Sequence, residues 1–202
     1  MAVTWTRYGT WTLLTVVALS SGCDTIGARE EIWQRTTALG DTILKDPKSA
    51  VAAEAMQELI DILNGNWSFG STQAAGALKK LGPLAAPAVP DLIRAAEHSD
   101  MFTQAEAIAA LGEIGPSAAP SVDMLIRTIE KGLAGQLNTG LDWKSAESLG
   151  KIGMPAIKAI PVLESAILSN DERLVRHAKR ALEQLRPLAE GIDAEDQADQ
   201  TK

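Results

Sequence analysis

The heptapeptide ALGEIGP at 110–116 decides the fold, because variants of it recur along the chain. The equivalents are ALKKLGP at 77–83, SLGKIGM at 148–154 and ALEQLRP at 181–187, at successive offsets of 33, 38 and 33 residues. A second row within apolar stretches, at Leu59, Leu92, Leu125 and Leu163, has offsets of 33, 33 and 38 residues, with the longer one again spanning residues 132–140. A period in this range, with two helical stretches per unit, is typical of an α-solenoid, in which each helix pair buries its apolar face against its neighbours.

The connection inside each unit also repeats. It reads GPLAAP at 82–87, GPSAAP at 115–120 and GMPA at 153–156. Glycine can end a helix with a positive φ angle, and proline fits the first turn of the following helix but cannot continue the previous one. Each unit is therefore predicted to be a helix, a sharp turn and a second helix.

At these residues the chain resembles the short bacterial HEAT-like repeats first described in the phycobilisome (bilin) lyases, whose consensus is close to AxxALxxIGxxAxxAVPxLI. The resemblance runs from about residue 72 to 187 and is weaker over 28–63. It implies an all-α fold, an α-solenoid of about four helix pairs followed by a C-terminal capping helix. It says little about activity, because the same repeat occurs in accessory subunits of enzymes, in scaffolds and in adaptors.

Composition agrees with this architecture. Aromatic residues make up 4% of the chain, whereas alanine and leucine fill the repeats. Small side chains let helices approach closely, and truncation of a core residue should cost about 2–5 kcal/mol. The predicted core consists of Ala74, Leu78, Leu81, Ile108, Leu111, Ile114, Leu149, Ile152, Leu182 and Leu185 on the first helices, and Leu59, Val89, Leu92, Val122, Leu125, Ile160, Leu163 and Ile167 on the second.

Residues 1–22 have the pattern of a secretory leader. Arg7 supplies a positive charge, an uncharged apolar stretch runs from Trp11 to Leu19, and small residues follow. Such a stretch is too short to remain as a transmembrane helix of the mature protein. We therefore expect the leader to be removed.

Cys23, the only cysteine of the sequence, directly follows this leader. The segment LSSGC at 19–23 resembles the lipobox of bacterial lipoproteins, which implies cleavage after Gly22 and lipid attachment to Cys23. It departs from that pattern at Ser20, where leucine is usual. The alternatives are an ordinary signal peptide and an uncleaved membrane anchor with a free thiol.

Asp24 is similar to an enterobacterial inner-membrane retention signal, so we expect a lipid-anchored protein of the bacterial cell envelope, on the outer side of the cytoplasmic membrane.

The sequence is thus divided into a leader at 1–22, a tether at 23–30, a solenoid at 31–187 and a tail at 188–202. The solenoid is expected to begin with an atypical first helix that caps the repeats. From residue 189 onward the tail has five acidic residues, one lysine and no apolar periodicity. Such a segment cannot bury enough surface to order itself, so disorder is predicted. An acidic interaction tail is the alternative.

Charge and motif content argue against several functions. The net charge of −7 disfavours general electrostatic binding to nucleic acid. The histidines, His98 and His177, lie outside any metal-ligand motif, and the sequence has neither a nucleophile elbow nor a phosphate loop. We expect no catalytic residue, metal, cofactor or small-molecule substrate. Arg176, within a basic run, is expected to face an acidic residue or a turn of the neighbouring repeat rather than a phosphate.

A row of arginines is the first candidate surface for a protein partner. Arg94 and Arg127 occupy the same position in successive second helices, which line the inner face of a solenoid. Arginine is frequent among residues that anchor interfaces. The alternative is a pair of exposed arginines near helix ends.

The edge formed by the turns between units is the second candidate surface. Trp67 and Phe69 lie there, Phe69 aligns with Phe102, and Trp143 follows a five-residue insertion within 132–140. Exposed aromatic residues clustered on one edge would form a partner patch. Alternatively, Phe69, Phe102 and Trp143 pack each first helix onto its own turn.

Two functions follow from these observations. The first is a non-catalytic, membrane-anchored module that binds or scaffolds a protein partner at the cell envelope. The second is an accessory subunit of an enzyme, with the bilin lyases as the remote model. The lipoprotein pattern favours the first, because those lyases are cytoplasmic.

Overall fold

The structure, a computed structural model, describes residues 26–136 and 140–199. Its regular elements in these ranges are all helical, and short 3₁₀ helices at Gly82–Ala88, Gly115–Ser121 and Met154–Ala159 connect the members of three pairs. The all-α solenoid of four helix pairs and a terminal helix is confirmed. The α-helices are α1 (Ile26–Lys45), α2 (Ala50–Leu63), α3 (Ser68–Leu81), α4 (Val89–His98), α5 (Met101–Ile114), α6 (Val122–Leu133), α7 (Leu141–Ile152), α8 (Ile160–Ala166) and α9 (Glu172–Asp199).

The repeated glycine ends the first helix of a pair by its backbone conformation. Gly82, Gly115 and Gly153 have φ angles of 54°, 73° and 74°, with ψ between −129° and −140°. A side chain at Cβ strongly disfavours this combination, so glycine is required. The connection that follows is a 3₁₀ segment of six or seven residues rather than the sharp turn that we predicted. Its alanines, such as Ala85 and Ala118, are fully buried.

The first helices, α1, α3, α5, α7 and α9, pack side by side in one layer. The close approach depends on small residues at repeated positions. A Cβ atom on Gly112 of α5 would lie 2.9 Å from the Cα atom of Ser148 in α7, and one on Gly150 of α7 would lie 3.1 Å from the Cα atom of Ala181 in α9. Gly112 and Gly150 are both the third residue of the repeated heptapeptide, and Ser148 and Ala181 are both the first. The same contact is therefore made twice along the layer.

The second helices, α2, α4, α6 and α8, form the other layer and contact one another only sparsely. Polar links between neighbours take the place of close packing. Asn64 donates a hydrogen bond to Asp91 over 2.8 Å, and Arg127 forms an ion pair with Glu97 at 3.2 Å. The layer is accordingly more open than the layer of first helices.

The core lies between the two layers and runs through the whole series of pairs. Most of the predicted core residues are buried, which confirms the assignment of apolar faces. The exceptions are Ile160 and Ile167, which are partly buried and pack against the core from α8 and the turn after it. Ile160 belongs to the last pair and Ile167 to the turn after it, where only α9 covers the end of the solenoid.

Two predicted boundaries are wrong. Helix α1 already includes Ile26, the first described residue, so residues 26–30 are helical rather than part of a tether. Helix α9 continues through Pro187 to Asp199, where we expected disorder from residue 188, and Leu188 packs against the core. The run from 188 to 199 contains three alanines and two glutamates, which are good helix formers, but also three aspartates and Gly191, which are not. Its helical form is therefore explained by propagation from the packed part of α9, which needs no further burial of surface. The leader and Cys23 lie outside the described residues.

No helix within the described ranges combines the length and the apolar character needed to cross a bilayer.

The contact between first helices predicts opposite effects for two glycine-to-alanine changes. Gly112→Ala should lower the free energy of unfolding by about 1–3 kcal/mol, because its methyl group would overlap the backbone of α7. Gly76→Ala is the matched control, since the nearest atom outside its own helix would lie 4.0 Å from the new Cβ atom. This control should raise stability by about 0.5–1 kcal/mol, because alanine loses less backbone entropy in a helix.

Urea unfolding followed by circular dichroism measures both changes. Equal effects of the two substitutions would contradict the close approach of α5 and α7.

Candidate functional site

Three of the predicted aromatic candidates meet at one groove. The first helices run parallel, so their N-termini share the edge where one pair connects to the next, here called the inter-repeat edge. Trp67 and Phe69 lie at the start of α3 with ring centroids 5.6 Å apart, and the Arg29 guanidinium lies 5.1 Å from the centroid of Phe69. Together with Phe102 at the start of α5 they line an open groove of about 580 Å³. The structure therefore brings three of the four aromatic candidates together, and the start of α1 borders them.

The three aromatic side chains differ in exposure. Trp67 and Phe69 are partly buried and pack against the core, as expected if they fix the first helix onto its turn. Phe102, by contrast, is 69% exposed and neighbours the exposed Met101. Phe102 is thus the aromatic side chain of this groove that is most available to a partner.

Asp100 fixes the start of α5 beneath Phe102. Its carboxylate accepts hydrogen bonds from the backbone N–H groups of Phe102 (3.0 Å) and Thr103 (3.3 Å) and from the Thr103 hydroxyl (2.7 Å). Partial burial raises the pKa of Asp100, but the hydrogen bonds of Thr103, Ser68 and the backbone outweigh it and hold the pKa below its ordinary value. We did not identify this residue from the sequence, although an aspartate directly before a helical pattern is an N-cap signal.

Trp143 lies apart from this groove, in α7. Its ring centroid is 4.9 Å from that of His177 in α9, and the Lys144 ammonium lies 4.9 Å from the Trp143 centroid. Gly140, with φ of 72°, precedes it, and a Cβ atom there would come within 2.6 Å of the indole Nε1. The lengthened connection, of which 137–139 lie outside the described residues, therefore leads into a turn that fits around this tryptophan.

His177 belongs to a chain of charged groups across α5, α7 and α9. Its Nδ1 atom is buried, has no hydrogen-bond partner, and lies 3.5 Å from Glu147 Oε2. Glu147 accepts a hydrogen bond from Lys151 at 2.7 Å, and Lys151 also reaches Glu113 at 2.8 Å. Burial lowers the pKa of His177, and the nearby Arg180 and Arg176 lower it further, against the opposing effect of Glu147.

These charged groups have a structural role, because they link α5, α7 and α9. Burial raises the pKa of Glu147, but its hydrogen bond and charge interaction with Lys151 outweigh burial and hold the pKa below its ordinary value. The hydroxyls of Ser145 and Ser148 are engaged by the carbonyls of Leu141 and Ile108. Among the described residues, no three or more histidine, cysteine, aspartate or glutamate side chains cluster in a way that could hold a metal ion.

Arg94 and Arg127 lie exposed on the face of the second helices, but both have acidic partners. Arg94 pairs with Asp91 of its own helix, and Arg127 of α6 pairs with Glu97 of α4. Of the row predicted from the sequence, Arg127 therefore links adjacent second helices, whereas Arg94 is paired within its own helix. Arg176 is exposed and forms no ion pair with a described residue, so of the two neighbours expected for it, an acidic residue or a turn, the acidic residue is not found.

A groove on the second-helix face was not predicted from the sequence. It encloses about 500 Å³ between α1, α2, the 3₁₀ segment after α3, and α4. Met56, Ile60 and Leu84 are among its apolar lining residues, and Asp61 and Asp91 lie at its acidic end. Asp61 accepts a hydrogen bond from Gln57 at 3.0 Å and forms no ion pair with a described residue. The groove therefore combines an apolar floor with an aspartate that lacks a cation.

The chain matches no protein-family model, and no curated protein is significantly similar to it. It is similar to the complex of CpcE and CpcF of phycocyanin lyase from Nostoc sp. PCC7120, with 25% identity and a TM-score of 0.60, over 92% of this chain and 70% of that chain. Two crystal structures of engineered proteins align at 21% and 23% identity, with TM-scores of 0.59 and 0.53, over 86% and 85% of this chain and 79% and 88% of theirs. These similarities support a HEAT-like helical repeat fold.

The pH dependence of the unfolding free energy tests the burial of His177 among these charged groups, with His98 as the comparison. Because the pKa of His177 lies below its ordinary value in the folded state, the unfolded chain takes up the proton first, and stability is lost as the pH falls below about 6.5. His177→Gln should therefore flatten the decrease in unfolding free energy between about pH 7.5 and 5.

His98→Gln is the control, because this side chain is 74% exposed at the end of α4. Urea unfolding at successive pH values measures the slope for each variant. If removal of His98 alone flattened the slope, the burial argument for His177 would be wrong.

Proposed function

We propose that this protein is a non-catalytic protein-binding scaffold, anchored to the bacterial cell envelope by lipid on Cys23, and that its partner occupies the groove on the second-helix face. The groove is the observation that carries the proposal, because it offers a partner both apolar area and a specific charge. The partner is a protein segment with apolar side chains and at least one lysine or arginine.

The charges of the groove favour such a basic segment. Asp61 is exposed and has only the Gln57 amide as a described partner, so a cation of the partner would add an ion pair without displacing one. Asp91 already accepts a hydrogen bond from Asn64 and pairs with Arg94, so it is less able to bind a cation of the partner. Exposed ion pairs contribute little affinity, so the charge selects and orients the segment.

Most of the affinity would come from the apolar floor. Leu84 is 39% exposed and lines the groove together with the nearly buried Met56 and Ile60. Methionine adapts to different shapes, and partly exposed apolar residues next to a preformed hollow gain from burial. The open spacing of the second helices leaves this hollow accessible, and the continuous core keeps its walls rigid.

The comparison with the CpcE and CpcF complex supports a protein partner, since that structure contains two different protein chains in one assembly. It also favours a second candidate function, an accessory subunit of a lyase. We place this second because the described part of our chain contains no constellation with an evident catalytic role, and because the leader with Cys23 points to the envelope.

Anchoring follows from the leader and from the position of Cys23. A single acyl chain holds a protein to a bilayer only marginally, whereas the two or three chains of a bacterial lipoprotein give stable attachment. The scaffold would then hold its partner at the membrane surface.

An arginine placed in the groove should block the partner. Ala53→Arg adds bulk and a positive charge at an exposed lining position of α2, and we expect at least a tenfold loss of affinity, about 1.4 kcal/mol. Val51→Arg is the matched control, because Val51 is 60% exposed on the same helix but does not line the groove. The contact is measured by photo-crosslinking in cells of the source organism. A photoreactive amino acid replaces Leu84 for this purpose.

We expect one crosslinked protein in the wild type and in Val51→Arg, and its loss in Ala53→Arg. Crosslinking that survives in Ala53→Arg, or that fails in both variants, would place the partner elsewhere.

Mass spectrometry of the protein purified from its native membrane tests the anchor. We expect a mass without residues 1–22 and with added acyl chains, and we expect Cys23→Ala to be released from the membrane or to remain unprocessed. A full-length or unmodified soluble product would refute the anchor. Visible absorption of a bound pigment in the same sample would favour the accessory subunit of a lyase.

A further inference from the structure

We propose that the inter-repeat edge of the solenoid is a membrane-contact surface, which lies against the lipid bilayer when the protein is anchored. This inference rests on the proposed anchoring through Cys23 and adds the orientation of the fold. The occupant of the edge is the headgroup and upper acyl region of the lipid surface.

The most exposed apolar side chains of the described chain lie along this edge. Five of the ten large apolar residues that are exposed in the described ranges lie either at the start of α1 or where one helix pair connects to the next. They are Ile26 (89% exposed), Met101 (44%), Phe102 (69%), Leu133 (37%) and Leu168 (83%). Four of the other five, Leu44, Val51, Leu84 and Met154, lie at the opposite edge and are 39–60% exposed, whereas Ile26, Phe102 and Leu168 are 69–89% exposed. Side chains this exposed at both ends and in the middle of one edge fit an extended, flat occupant better than a single protein segment.

The anchor leads directly to this edge. Cys23 precedes Ile26 by three residues, and three residues span at most about 11 Å. The first turn of α1 borders the aromatic groove, because Arg29 lies over the Phe69 ring. Lipid chains on Cys23 would therefore hold the start of α1 within about 11 Å of the bilayer surface.

The chemistry of the edge fits the interfacial region of a bilayer. Aromatic rings and long cationic side chains are favoured at the level of the lipid headgroups. Trp67, Phe69 and Phe102 lie beside Arg29, while Lys144 lies farther along the same edge at the start of α7. The acidic group nearest Phe102 is Asp100, and its carboxylate is occupied in capping α5. Exposed acidic residues lie toward both ends of the edge, at Glu30, Glu31, Asp171 and Glu172, and they would remain in the aqueous headgroup layer.

This orientation leaves the proposed partner site accessible. The groove that contains Met56 and Leu84 lies on the second-helix face, and Leu84 belongs to a connection at the opposite edge. A protein partner could therefore bind while the inter-repeat edge contacts lipid.

The phenylalanines of the chain allow a direct test without altering the edge. The sequence contains two of them, Phe69 and Phe102, and both lie at this edge. Biosynthetic 4-fluorophenylalanine therefore labels the edge alone, and Phe102→Leu assigns the two ¹⁹F resonances. Leu44→Phe adds a control resonance at a position that is 54% exposed and lies 18 residues, or about 27 Å, further along α1 from Ile26.

The chain from Cys23 onward retains the whole described fold and can be coupled through its single thiol to a maleimide phospholipid. The conjugate is placed in nanodiscs of phosphatidylethanolamine and phosphatidylglycerol that contain a gadolinium-chelate lipid. We expect the Phe102 resonance to lose at least five times more intensity to paramagnetic relaxation than the Leu44→Phe resonance. Equal losses, or a greater loss at Leu44→Phe, would overturn the membrane-contact surface.

Because the lipid is attached chemically, this result is independent of whether the cell modifies Cys23. A failure of the cellular anchor appears in the mass spectrum of the native protein, and a failure of the orientation appears in the nanodisc experiment.

Discussion

The close contact between neighbouring first helices is the constraint on which the rest of the structure depends. Gly112 against Ser148, and Gly150 against Ala181, bring the backbones together at equivalent positions of successive repeats. No larger side chain fits there without moving a helix, so the spacing of the layer is set by residues that contribute almost no side-chain area. Because close-packed interiors transmit strain, this spacing fixes the position of every subsequent pair.

The two layers differ because only one of them makes this contact. The second helices are linked by side chains that reach across, such as Asn64 to Asp91 and Arg127 to Glu97, and hollows remain between them. Long polar side chains tolerate a range of spacings, whereas glycine against a neighbouring backbone does not. A rigid layer on one side and an open one on the other is an arrangement suited to binding, and the inter-repeat edge joins the two.

The sequence predicted those features that depend on local repetition. Gly82, Gly115 and Gly153 identify the helix ends, because their backbone conformation requires glycine. Features that depend on the separation of helices could not be read in the same way. The groove joins Met56 with Leu84, and the stacking partner of Trp143 is His177, two helices away. The helical tail after Pro187 was missed because a packed helix can propagate beyond its last buried residue without any apolar pattern.

Native-state hydrogen exchange along the chain tests most directly whether the repeats form one continuous scaffold. In a solenoid each pair is stabilised by its neighbours, so the amides of α5 and α7 should exchange most slowly, through global unfolding, and protection should decrease toward α1 and the end of α9. If α5 and α7 exchanged while α1 and α2 remained protected, the pairs would be independent units, and the account of a rigid scaffold would be contradicted.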